Sequence, residues 1–427
     1  MSRDATSPSA SDLPLRGPGF SLSPGGEGRG EGGTDVPATA CLPIVATAQG
    51  CPEGPHGFQP RILSSLRLCQ GSLALMAAVF FSAFSALGTE LAFFKTVANT
   101  DYLVAGVGGM RDTGRGKIIL GGLTGEVTQA YLYWNGVVAD TNENEIHLVQ
   151  VNGLKVEGRN IGLSLAPCWP GYQWSQTFRA DVTSLVAHRG DGIYSLTGFL
   201  RSGKMNADGA SLLVFYDDGD PNNNRDVVLY DGNDLNVPNS YDSDGFSLIA
   251  TNRVRYGQGR AFMQLHVADG QVIPNFDDGE IILNDRTLVP GRRLFSGDTV
   301  PGENNGPEGN GNLWDIKSWE ITGFLQTGFN DLVLKSSFIP TGDCLCLLLA
   351  VIDLPAFPIL QIAVEDGSNL AITWPGSASQ FLLQSSTDIS VSNLWISARE
   401  QPMLASNRFR VSVPIETGSK FFRLIKP

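Results

Sequence analysis

The sharpest candidate for chemistry is the run Asp217–Asp226 (DDGDPNNNRD). From Asp218, oxygen-bearing side chains recur at alternate positions: Asp220, Asn222, Asn224 and Asp226. Calcium takes about six to eight hard oxygen ligands, and alternate placement lets a curling loop aim several of them at one point. The EF-hand pattern is not met, because Asn223 stands where that loop needs Gly and Leu229 where it needs Glu. Asp, Asn, Gly and Pro also dominate ordinary turns for conformational reasons. The run is thus read as a structural Ca²⁺ loop or a solvated turn. No other cofactor is suggested.

A second candidate is the loop Cys168–Trp174. Trp169, Tyr172 and Trp174 lie close enough in sequence to form a sugar-stacking platform, since each ring offers an apolar face with a polar edge. The competing reading is core packing at the end of a sandwich. Asp277, Asp278 and Glu280 cluster at a glycine turn. A glycosidase would need such a pair held ~5–9.5 Å apart, whereas adjacent acids beside Gly are ordinarily solvated turn residues. Beyond residue 88 only His147, His188 and His266 remain, and no Ser-His-Asp set is defined by their order. Gly114–Lys117 is not a phosphate loop, because Ile118 follows where Ser or Thr is required.

The elements that must carry these residues read as strands. Val127–Trp134 alternates two faces, and Asn135-Gly136 after it reads as a turn. Similar runs are Ile146–Val151, Gly192–Phe199, Leu212–Tyr216, Val227–Tyr230, Phe262–Val267, Leu332–Leu334 and Leu345–Ile352. Asn152-Gly153, Asp231-Gly232, Asp269-Gly270 and Asp278-Gly279 separate them as further turns. No amphipathic helix is expected after residue 88. An internal duplication stands out. Glu145–Leu148, Ala180–Leu185 and Leu212–Asp217 recur in the same order, at a near-constant offset, as Glu280–Leu283, Trp319–Phe324 and Leu347–Asp353. Two copies are too few for a propeller and the period is too long for a solenoid.

Residues 1–60 are Gly/Pro-rich and low in complexity, so they are expected to be disordered. Arg61 and Arg67, the apolar run Leu73–Leu87 and the small residues Ala86 and Gly88 then read as a signal peptide or anchor helix over 61–88. The net charge is −13 and charged residues are only 17%. That balance argues against nucleic acid as a partner and against an anionic membrane surface, so contact with a membrane would run only through the N-terminal segment. Gly 50 and Pro 24, with 42% hydrophobic residues, suit many short strands around a sizeable core. After the leader, Cys168, Cys344 and Cys346 remain; a bridge from Cys168 to either partner is open, and buried thiols are favoured.

The ordered runs Val104–Gly109, Ala130–Trp134, Arg179–Val186, Gly209–Tyr216 and Asp226–Gly232 resemble a β-sandwich repeat family of uncharacterised secreted bacterial cell-surface proteins. Ile372–Pro375, Phe381–Ser386 and Phe421–Leu424 resemble a fibronectin-type-III-like terminal module. The resemblance implies no catalytic residues.

The expected fold is all-β: two tandem related antiparallel β-sandwiches, jelly-roll-like, over 89–250 and 251–355, then a small Ig/fibronectin-III-like sandwich over 359–427. The expected function is that of a secreted, non-catalytic bacterial surface or matrix protein with an adhesive or structural role, partnered by an extracellular glycan or surface protein. The alternative is a carbohydrate-binding module or glycan-processing enzyme.

Overall fold

A computed structural model describes residues 90–426 except 141–146, 167, 170, 240–243, 273–276, 303–311, 338–342 and 392–393. The expected disordered segment 1–60 and signal segment 61–88 lie outside the described residues. The described chain is all-β, with one short α-helix. No described helix is long and apolar enough to cross a membrane.

A ten-stranded antiparallel sheet forms the centre of the molecule. Its pivot is β1 (Ala92–Val107), which pairs with β11 (Arg225–Leu235) through its first half and with β10 (Met205–Asp217) through its second. Register shifts at Phe93/Lys95 and Val97/Thr100 bend β1 between the two pairings. Outward from β10 lie β3 (Glu126–Val138), β7 (Trp174–Asp181) and β6 (Arg159–Leu165), with β9 (Leu200–Arg201) also on β10. Outward from β11 lie β18 (Cys346–Pro355), β13 (Phe262–Ala268) and β16 (Trp314–Glu320).

The bend folds the two halves face to face. Tyr131, Tyr133, Leu213 and Phe215 of one half share a core with Val227, Leu229, Leu349 and Val351 of the other. Two smaller sheets cover the outer faces. One runs β2 (Gly116–Leu120), β8 (Gly192–Thr197), β4 (Leu148–Val151), β5 (Leu154–Glu157), and packs Ile118, Val149 and Leu196 against Leu132, Trp134 and Leu212. The other runs β12 (Ser247–Tyr256), β17 (Gly328–Ser336), β14 (Ile281–Leu283), β15 (Arg286–Val289), and packs Leu248, Leu283 and Leu334 against Tyr230, Leu265 and Ile352. Four layers result, so β10 and β18 are buried on both faces. Continuous apolar sequence is what such strands need.

The strand orders repeat. β2-β8-β4-β5 has the same order as β12-β17-β14-β15, and β1-β10-β3-β7 the same as β11-β18-β13-β16. β6, β9 and the helix α1 (Thr183–Arg189) belong to the first copy; a single 3₁₀ turn, Thr322–Phe324, stands in the helix's place in the second. After β18 come two further sheets. β19 (Gln361–Val364), β20 (Asn369–Pro375), β24 (Arg408–Pro414) and β23 (Met403–Ala405) form one; β22 (Ile396–Ser397), β21 (Leu382–Ser386) and β25 (Phe421–Ile425) form the other. Ile372, Trp374, Phe381, Leu383, Val411 and Phe422 fill the space between them.

Three local expectations are corrected. Asn135-Gly136 is not a turn but the interior of β3. A Cβ on Gly136 would sit 2.5 Å from the Asn206 carbonyl, so Gly is needed there for close backbone approach. Asp231-Gly232 likewise lies within β11, at a register shift, where Gly232 lies against the Glu90 backbone. And 183–189 is helical, without a side-chain cap at its N-cap Val182: the Asp181 carboxylate accepts the Thr183 N–H just ahead of it, and Gly190 (φ 68°) closes the other end.

Candidate functional site

The aromatic loop lies between β6 and β7, and a disulfide pins it. Cys168 is bonded to Cys344, 176 residues away, just before β18. The preference for three buried thiols is therefore corrected: among the described cysteines Cys346 alone is free, and it is buried. The bridge closes because both cysteines sit at the same end of the folded sheet, where Cα–Cα is 6.4 Å, well within bridging range.

Beside the bridge, Trp169 is half-buried and held on two sides. Its Nε1 donates to Asp269 Oδ2 at 2.9 Å, and the Arg111 guanidinium carbon lies 3.4 Å from its ring centroid. Arg111 is in turn fixed by Asp208 Oδ1 at 2.6 Å and Asp269 Oδ1 at 2.8 Å, with all three side chains almost fully buried. A fork held by two carboxylates does not drift, so the indole rests on a rigid cation. Tyr172 is also half-buried, its N–H on the Trp169 carbonyl. Trp174 opens β7 and packs instead against the core beneath the first outer sheet. The structure thus anchors Trp169 and Trp174 to different neighbours.

Buried acids gather around this end. Burial pushes Asp208 up to about 7, against the pull of Arg111. Burial, then repulsion from Asp269 and Asp278, pushes Asp343 up to about 8. Asp343 is 2% exposed, and its Oδ2 has no hydrogen-bond partner. No functional signal in the sequence had marked Arg111, Asp208 or Asp343, and Asp269 had been read as a turn residue alone: they come from four separate segments and meet only in the fold.

The carboxylates of the acidic candidates accept hydrogen bonds from nearby groups. Asp277 accepts the N–H groups of Gly279 and Arg292, Asp278 that of Phe295, and Glu280 the Thr287 hydroxyl. In the Asp217–Asp226 loop, Asp218 accepts the Asp220 N–H and Asp220 that of Asn222. Asn222 Oδ1 accepts the Ser377 N–H at 2.8 Å, and Asn224 Nδ2 donates to the Asn99 carbonyl. Asp226 accepts N–H groups from Asn99 and Phe357. The side-chain oxygens of Asp218, Asp220, Asn222 and Asp226 are thus directed to separate backbone groups. Among the described residues no group of three or more His, Cys, Asp or Glu is placed to hold a metal. Instead, the loop joins the central body to the C-terminal module.

One histidine contact went unread in sequence. His266 lies mid-strand in β13, fully buried, with Nδ1 2.8 Å from Ser211 Oγ and Nε2 3.0 Å from Gln264 Oε1. Gln264 Oε1 can only accept, so the neutral ring donates from Nε2–H and its Nδ1 accepts from the Ser211 hydroxyl, whose oxygen also accepts from Trp314 Nε1 at 2.9 Å. Burial pushes His266 down to about 3 and keeps it neutral. Ser211 is 0% exposed and sits between the two halves of the large sheet, where the group serves as a buried polar tie.

No protein-family model and no curated protein matches the chain. Among solved structures, dimeric latent PorU from Porphyromonas gingivalis aligns at 10% identity and TM-score 0.22, over 80% of this chain. The aligned part of the chain spans 33% of PorU. A peptide-N(4)-(N-acetyl-β-D-glucosaminyl) asparagine amidase aligns at 11% identity and TM-score 0.18, over 61% of this chain and 98% of its own. Similarity at that level carries no argument about activity.

Proposed function

We propose that the chain is an exported, non-catalytic bacterial surface or matrix protein with an adhesive or structural binding role, built from two related β-sandwich repeats and a fibronectin-III-like module. The Cys168–Cys344 bridge carries this reading. Structural disulfides persist in oxidising compartments and are rare in the cytosol, and this one clamps a surface loop to the rigid four-layered body. Loops fixed by such a scaffold are the usual carriers of recognition.

A second reading has its own support. Trp169 is partly exposed, and its ring is held on Arg111 and Asp269. A pre-fixed ring loses little freedom when a sugar stacks on it. The test is depletion of the full-length protein from solution by a panel of insoluble polysaccharides and matrix proteins. Depletion by one polysaccharide, abolished in Trp169→Ala, would favour the glycan reading. Depletion by a protein matrix, indifferent to Trp169→Ala, would favour the adhesive one, and no depletion by either would count against both.

A further inference from the structure

We propose that the cleft between the Asp217–Asp226 loop and the C-terminal module binds a single neutral sugar unit. The cleft encloses about 310 Å³, the small end of the ~300–1,000 Å³ range of ligand pockets, so it fits one ring rather than a polymer segment. Its position between two packed units is a favoured one for ligands.

The walls combine two chemistries. Phe357, Phe381 and Pro375 supply apolar rings, and Asn222, Asn224 and Gln258 supply amides. A sugar ring has C–H faces that lie on such rings and hydroxyls that both donate and accept, as amides do. Charge selects against the alternatives. Arg225 is the one cation among the described lining residues, and it is already engaged by Asp353 Oδ1 at 2.5 Å and the Arg260 carbonyl at 2.7 Å. An anionic ligand would find no free positive group there, whereas a purely apolar one would strip water from the amides without replacing it.

Asn224 adds an acceptor. It is 8% exposed, its Nδ2 is fixed on the Asn99 carbonyl at 3.1 Å, and its Oδ1 has no hydrogen-bond partner. Buried oxygens left unpaired are uncommon, and a sugar hydroxyl is the kind of donor this one lacks. Asn222 is held by Ser377 and Asp220, which presets the cleft's mouth. The site is built from other elements than the Trp169 loop, so it stands or falls independently of that loop's function.

The test is saturation-transfer NMR on the full-length protein with methyl glucoside, methyl galactoside, methyl mannoside and N-acetylglucosamine as probes. The expected result is transfer to at least one probe, lost in Asn224→Leu and in Gln258→Trp but kept in Trp169→Ala. Gln258 lies on a partly exposed loop, so its replacement fills the cleft without disturbing a core and decides the matter should Asn224→Leu fail to fold. The proposal is overturned by no transfer to any probe, or by transfer that survives Gln258→Trp.

Discussion

Trp174 and Trp314 open corresponding strands in the two copies, yet their surroundings differ. Trp174, on β7, is half-buried at the rim of the first outer core. Trp314, on β16, is 0% exposed, lies in the core shared by both halves of the large sheet, and donates to Ser211. The neighbouring segments diverge in the same way. The first copy adds β6, the disulfide-pinned loop and α1; the second keeps the bare strand order. The chain leaving β10 forms the Asp/Asn loop, and the chain leaving β18 forms the linker to the C-terminal module. These two lie side by side because Arg225 pairs with Pro355. One repeated topology thus provides a buried joint in one copy and an exposed, pinned surface in the other.

The sharpest break of that comparison is a pair of truncations. Trp314→Ala should cost about 3–5 kcal/mol, since it empties a closed core and strips Ser211 of a donor. Trp174→Ala should cost under about half as much, as its site is half-open. Urea unfolding of the two variants gives both values, and equal losses would erase the distinction drawn between the copies.

Next in size, the Cys168→Ala/Cys344→Ala variant should lose about 2–5 kcal/mol. Reductant should lower the melting temperature of the wild type toward the variant's and leave the variant unmoved.

Asp343→Asn sharpens the account of the pinned end. Because Asp343 is raised to about 8 in the fold, the folded state keeps a proton that the unfolded chain releases above its ordinary carboxyl range. Stability therefore falls as pH rises from about 4 to about 8. Asparagine cannot ionise, so the variant should match wild type near pH 4 and exceed it near pH 8. The gain should be several kcal/mol, since each unit of the upward shift is worth about 1.4 kcal/mol. Melting curves at the two pH values check the sign.

The smallest expected effect is that of calcium. The oxygens of Asp218, Asp220, Asn222 and Asp226 already accept backbone N–H groups. Melting temperatures in calcium and in chelator should coincide, and a rise of several degrees with calcium would mean the loop rearranges around the ion.

What the sequence showed and what it hid follow one physical line. Strand periodicity is local, so Val127–Trp134 and Leu212–Tyr216 were legible. Asn-Gly and Asp-Gly pairs were ambiguous. Asn152-Gly153 turns a hairpin, with φ of 51° and 78°, whereas Gly136 and Gly232 are glycines because another backbone presses on them. Long-range packing decides between those roles, and one stretch of sequence does not contain it. The same holds for Trp169. The aromatic run was visible, but Arg111, Asp208 and Asp269, which make its ring rigid, lie far off along the chain.

The most direct test of the central claim is the state of Cys168, Cys344 and Cys346 in the protein as cells make it. Intact cells expressing the full chain would be treated with a membrane-impermeant amine label and a thiol-trapping reagent, then analysed by peptide mass spectrometry. The account predicts a surface-labelled chain with Cys168 joined to Cys344 and Cys346 reduced, reacting only after unfolding. An unlabelled chain with Cys168 and Cys344 both free would contradict it.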